Sequence, residues 1–104
     1  MKRTLLTLAL ALHAAAALAQ AWPSKPVRII NGFAAGGPSD LLSRAVAEKL
    51  QAAWGQPVLV EAKTGANGNI AMEYAAKSPA DGYTLLTIPA GNAVVLPHLN
   101  AKLP

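Results

Sequence analysis

Val27-Arg28-Ile29-Ile30-Asn31-Gly32-Phe33-Ala34-Ala35-Gly36-Gly37-Pro38-Ser39-Asp40-Leu41 is the stretch whose reading decides the fold. Val27 to Ile30 is a β-branched run that only Arg28 interrupts, and it predicts a mostly buried strand. Asn31-Gly32 reads as the frayed end of that strand. Leu41 opens a helical pattern, and the small-residue loop Phe33 to Asp40 stands between the two. Residues without a Cβ let backbone N–H groups approach a ligand closely. At a helix start those groups are unpaired and carry partial positive charge, which suits a carboxylate or a phosphate. The loop alone admits equally a tight turn that binds nothing.

Downstream, Leu42, Ala45, Val46, Leu50, Ala53 and Trp54 recur at helical spacing and predict the buried face of an amphipathic helix. Ser39 is its expected N-cap, and Asp40 in the first turn complements the helix dipole. Gly55 and Pro57 form the stop signal. Val58 to Val60 predicts a second strand, and Lys63 to Asn69 a second small, polar loop. Ile70, Ala71, Tyr74 and Ala75 mark a second helix, capped by Asn67 or Asn69 and ending near Ser78-Pro79. Tyr83 to Ile88 predicts a third strand, and Pro89 to Asn92 a third loop.

The order is βαβαβ, an α/β class with a parallel sheet and right-handed crossovers. In such a sheet all strand-exit loops leave by the carboxyl edge, where ligands bind. Phe33–Asp40, Lys63–Asn69 and Pro89–Asn92 are therefore expected along one rim, which favours an anion-binding reading. Asp40 is expected mainly to fix the loop or cap the helix. A bound carboxylate should then meet backbone N–H groups and water, not the Asp40 side chain.

The 104-residue chain suffices for at most one small domain. Met1-Lys2-Arg3, the apolar run Thr4 to Leu18, and the small-x-small sites ending at Ala19 and Ala21 read as a secretory signal peptide over residues 1–21. Cleavage is expected after Ala19 or Ala21, leaving residues 22–104. The apolar run is about 15 residues, short of the roughly 20 that span a bilayer, so no stable membrane insertion is expected after cleavage. Removal of Lys2 and Arg3 lowers the formal net charge of +4 by two. The remaining basic residues are scattered and form no stripe, which argues against nucleic acid as a partner.

The chain has no cysteine, and His98 is the histidine that remains after export. Thiolate chemistry is excluded, and neither a metal nor a cofactor is expected. Walker, dinucleotide-binding and nucleophile-elbow motifs are absent. Gly65-Ala66-Asn67-Gly68 fits the Gly-x-x-Gly clamp of an RNA-binding module only superficially. No spacing pairs the acidic residues for catalysis, so no catalytic residue and no enzyme activity are expected.

Trp22-Pro23-Ser24-Lys25-Pro26-Val27-Arg28-Ile29-Ile30 followed by Phe33-Ala34-Ala35-Gly36-Gly37-Pro38-Ser39-Asp40 resembles the mature start of the Bug-type periplasmic solute-binding proteins. These are the receptors of tripartite tricarboxylate transporters. The resemblance continues through Gly55-Gln56-Pro57-Val58, Gly65-Ala66-Asn67-Gly68-Asn69-Ile70, Asp81-Gly82-Tyr83-Thr84-Leu85-Leu86 and Lys102-Leu103-Pro104. It implies part of one lobe of a two-lobed α/β receptor that closes on a small carboxylate in the periplasm and delivers it to membrane transporter subunits. It also implies ligand contacts from Phe33, Ala34, Ala35, Gly36, Gly37, Pro38, Ser39 and Asp40, largely through backbone groups and water. The segments Gly65–Asn69 and Ala90–Asn92 are implied to line the cleft, with Gly65, Asn69, Ala90 and Asn92 as contacts.

Family members are considerably longer, so the expectation is an N-terminal fragment with part of one lobe. The alternatives are a gene remnant without a biochemical role, or a lobe of an exported α/β enzyme using Ser39 or Asp40.

Overall fold

The computed structural model describes residues 21–95 and residue 98. The signal-peptide reading and the Lys102-Leu103-Pro104 match lie outside these residues, Ala21 excepted. In chain order the elements are β1 (Val27–Asn31), α1 (Pro38–Trp54), β2 (Val58–Ala62), a 3-10 turn (Ala66–Gly68), α2 (Asn69–Lys77), β3 (Thr84–Thr87) and α3 (Ala90–Val94). The strands form one parallel sheet in the order β2-β1-β3. Val27 lies beside Val58, and Arg28 beside both Leu59 and Thr84. This is the βαβαβ parallel sheet that the residue pattern predicts. No helix among the described residues is long and apolar enough to cross a membrane.

Side chains alternate across a strand, so the central β1 feeds two layers. Val27 and Ile29 join Val58 and Ala47 in the main core, with Leu50, Trp54, Val60, Tyr83 and Leu85 packed against it. Arg28 points to the opposite layer, where its guanidinium donates to the Tyr74 hydroxyl of α2 at 3.0 Å. Ile30 is fully buried. The chain thus runs from β1 to β2 through a helix on one face, and from β2 to β3 through a helix on the other. The first crossover moves away from β1 in one direction and the second moves past it in the other. That reversal opens a crevice at the carboxyl ends of β1 and β3, the usual ligand position in open α/β sheets.

The amino end of the sheet is tied shut instead. The Trp22 and Trp54 rings meet edge to face with centroids 4.8 Å apart. The Ser24 N–H donates to the Tyr83 hydroxyl at 2.8 Å, and Lys25 lies 4.5 Å over that ring.

Helix α1 corrects the expected buried face. Leu42 is 61% exposed and Val46 is 44% exposed, and Ala45 and Ala53 are also exposed. The inward stripe is Asp40, Ser43 and Ala47, continued by the half-buried Leu50 and Trp54. Ser43 can sit inward because its hydroxyl is satisfied locally, and Asp40 because one of its carboxylate oxygens is paired. The Ser43 hydroxyl donates to Ser39 O at 2.8 Å, and Asp40 accepts two hydrogen bonds described below.

The helix start is also corrected. Gly37 is the N-cap with no side-chain cap bond, and Pro38 follows inside the first turn. Proline fits there because its missing N–H would be unpaired in any case. Ser39 is therefore inside the helix and is not its cap. At α2 the N-cap is Gly68, again without a side-chain bond, rather than Asn67 or Asn69.

Candidate ligand-binding site

Asn31 is the last residue of β1 and is fully buried, where fraying was expected. Its carboxamide holds the start of the loop from below. The Phe33 N–H donates to Asn31 Oδ1 at 3.3 Å, and Asn31 Nδ2 donates to Phe33 O at 3.3 Å. The Ser39 hydroxyl donates to the same Oδ1 at 2.8 Å. One side chain therefore joins the strand end, the loop start and the first turn of α1.

Asp40 holds the other end of the loop. Its side chain is 2% exposed, and Oδ2 accepts from the Gly36 N–H at 2.9 Å and from Arg44 Nε at 2.8 Å. This is the loop-fixing arrangement expected of Asp40. A turn closes above it where the Gly37 N–H donates to Ala34 O at 3.2 Å. The hydrogen bond from Arg44 is the largest influence holding the Asp40 carboxyl below its ordinary value of 3.8, and the Gly36 N–H adds to it. Asp40 Oδ1 is buried without a hydrogen-bond partner among the described residues.

A carboxyl whose folded pKa is depressed contributes stability above its unfolded value, and that contribution is lost as pH falls through the folded pKa. Urea midpoints measured from about pH 5 down to about pH 2.5 should fall more steeply in the unmodified chain than in Asp40→Asn. Asp81 is also depressed, chiefly by the Tyr83 N–H, but it titrates in both proteins and drops out of the difference. Equal slopes would show that Asp40 is not anchored in this way.

The second loop reaches the first through close backbone packing. Gly65, Ala66, Asn67 and Gly68 all have positive φ, from 45° to 130°. This curl brings buried Gly68 against Gly32, where a Cβ on Gly32 would stand 2.9 Å from Gly68 Cα and 3.2 Å from Ala71 Cβ. A Cβ on Gly68 would meet Asn92 Nδ2 at 3.2 Å and the Phe33 ring at 3.4 Å. Asn92 is buried, and its Nδ2 donates to Asn67 O. The three strand-exit segments are thus in contact at one edge. Ala90 to Asn92 open the helix α3, where a loop was expected.

Above this junction lies a cavity of about 410 Å³ lined by Phe33, Ala34, Gly37, Pro38, Ser39 and Pro89. Its volume is in the range of small-molecule sites. It occupies the crevice between the exits of β1 and β3. Ala35 and Gly36 are exposed in the turn beside it, and Asp40 is buried behind it. Gly65 and Ala90 are exposed, Asn69 is half-buried with its Oδ1 unpartnered, and none of the three lines this cavity. Asn31, Gly32 and Pro89 build the site without having been singled out as contacts. A buried asparagine at a strand end, one residue before a glycine, is the signal that would have drawn attention to Asn31.

The N–H groups of Ser39 and Asp40, in the first turn of α1, have no helical carbonyl to pair with. They follow Pro38, which has no N–H to offer. The dipole of the 17-residue helix adds positive potential at this end. With the Asp40 charge paired to Arg44, the arrangement suits an anionic group seated at the mouth of α1. A separate depression of about 460 Å³ on the α2 face is lined by Arg28, Tyr74 and neighbours. Arg28 there is engaged by the Tyr74 hydroxyl and by Glu61 at 3.5 Å.

Comparison with known proteins gives these features a family context. The tripartite tricarboxylate transporter family receptor model, TctC, matches residues 42–104. A UPF0065 protein of Bordetella bronchiseptica is 46% identical over 97 residues, covering 91% of this chain and 28% of the relative. A solved periplasmic transporter is 41% identical with a TM-score of 0.76, covering 81% of this chain and 28% of that one. Rpa4515 of R. palustris, solved with adipate, is 41% identical with a TM-score of 0.63, covering 64% of this chain and 22% of that one. The chain spans under a third of the length of these proteins. With a family match over more than half its residues and a shared fold, the chain belongs to the tripartite tricarboxylate transporter receptors, the Bug-type periplasmic solute-binding proteins.

Proposed function

We propose that this chain supplies one wall of a periplasmic receptor site that captures a small carboxylate for a tripartite tricarboxylate transporter. The observation that carries the reading is the cavity at the mouth of α1, where Ser39 stands on the wall and Asp40 is held behind it. The carboxylate is received by the Ser39 and Asp40 N–H groups, with the helix dipole adding attraction. Water bridges complete the contact, as the exposed turn at Ala35 and Gly36 allows.

Binding rather than catalysis is the role. The Ser39 hydroxyl and the Asp40 carboxylate are the two groups at the cavity suited to chemistry, and both are engaged inward. The leader at residues 1–21 directs the chain across the inner membrane, and the partners are the ligand and the membrane subunits of the transporter. A relative solved with adipate supports a dicarboxylate as the probe.

The test is calorimetric titration of the chain with adipate and with its dimethyl ester. Weak binding, in roughly the millimolar range, is expected for adipate because the chain supplies one wall alone, and none for the ester, because esterification removes the charge that α1 receives. Equal binding of the two compounds would overturn the reading.

A further inference from the structure

The chain carries two Asn-Gly pairs, Asn31-Gly32 and Asn67-Gly68. Asparagine before glycine is the pairing most open to deamidation, because glycine presents its backbone nitrogen with no Cβ in the way. The two pairs sit in opposite environments. Asn31 is fully buried at the end of the central strand. Its Nδ2 donates to Phe33 O, and its Oδ1 accepts from the Phe33 N–H and the Ser39 hydroxyl. Water is excluded there, and the carboxamide is not free to turn. Asn67 is exposed in the three-residue 3-10 turn, at φ 54° and ψ 41°. A backbone bond to Gly65 O at 3.0 Å holds the Gly68 N–H. A short turn of this kind, with exposed neighbours, opens at low free energy, whereas the central strand opens only with the whole sheet.

We infer that Asn67 is a deamidation site of the folded chain and that Asn31 is not. When the turn opens, the Gly68 nitrogen attacks Asn67 Cγ, its proton passes to the carboxamide nitrogen, and ammonia leaves. The ring so formed is a succinimide. Water, the one co-reactant, adds to either ring carbonyl and opens it, leaving aspartate or isoaspartate at position 67. Isoaspartate routes the main chain through the side-chain carbon and lengthens it by one atom. Asn67 O, which accepts from the buried Asn92 Nδ2, then belongs to a free carboxylate. The next residue, Gly68, is packed on Gly32 and on the Phe33 ring. The modification therefore loosens the contacts between the strand exits, independently of any ligand.

The test is incubation of the full chain in mildly alkaline buffer, with and without concentrated guanidinium chloride, followed by peptide mapping with mass spectrometry. In the folded chain position 67 is expected to convert more than about tenfold faster than position 31, the difference between local and global opening. In guanidinium chloride the two pairs should convert at similar rates, since only the fold distinguishes them. The isoaspartate form, separated by ion exchange, should show a lower urea midpoint than Asn67→Asp, which adds the same charge without the extra backbone atom. Equal midpoints would overturn the loosening of the strand exits. Equal rates at the two positions in the folded chain would overturn the assignment of the site. So would an intact position 67 in the folded chain after the unfolded chain has reacted there.

Discussion

Replacing Gly32 by alanine is expected to destabilise the fold by about 1–3 kcal/mol, the range for overpacking a filled interior. The new Cβ would stand 2.9 Å from Gly68 Cα and 3.2 Å from Ala71 Cβ. The closer atom is backbone, so no side-chain rotation relieves the clash. The second loop must move away from the first, and its hydrogen bond from Asn92 to Asn67 O moves with it. Gly32 holds the contact from the other side as well, since Gly68 packs on the Phe33 ring that walls the cavity. A urea titration should show a lower midpoint with an unchanged slope, the signature of lost stability rather than altered compactness. An unchanged midpoint would mean that the loops are not in contact as described.

The second large effect is expected at Asp40→Ala, and it falls on binding. Asp40 fixes Gly36 and Arg44 through one carboxylate oxygen. Without it the Gly36 N–H loses its acceptor, and the turn from Ala34 to Gly37 keeps only its single backbone bond. If the loop then holds its binding shape for about a tenth of the time, apparent affinity for a carboxylate falls about tenfold. Asp40→Asn keeps an acceptor oxygen and should fall between the two. Titration with adipate measures the affinity, and amide exchange at Gly36 reports the loosened loop independently. Unchanged affinity in Asp40→Ala would show that the loop keeps its shape without this anchor.

The strand pattern was legible because buried β-branched runs and turn signals are local features, whereas the order β2-β1-β3, and with it the switch of helices across the sheet, was not read from them. The rim was legible for the same reason: parallel strands send their exits to one edge. The α1 burial face was not. Leu42 and Val46 look like core residues by hydropathy, yet Asp40 and Ser43 take the inward positions. Hydropathy ranks a buried aspartate as improbable, and only the loop that supplies a Gly36 N–H to it makes that burial favourable. Asn31 was misjudged because Asn-Gly is a turn signal, whereas here its carboxamide replaces the hydrogen bonds that the chain leaves open on quitting the sheet. Contacts such as Gly32 against Gly68 join residues distant in sequence, and no single window contains them.

Seating of a carboxylate at the mouth of α1 is tested most directly by mapping backbone amide shifts during titration of the chain with adipate. The largest changes are predicted at Gly37, Ser39 and Asp40, with the Glu61 and Tyr74 amides near the opposite face of the sheet unmoved. Changes concentrated at Glu61 and Tyr74, with Ser39 and Asp40 silent, would contradict it.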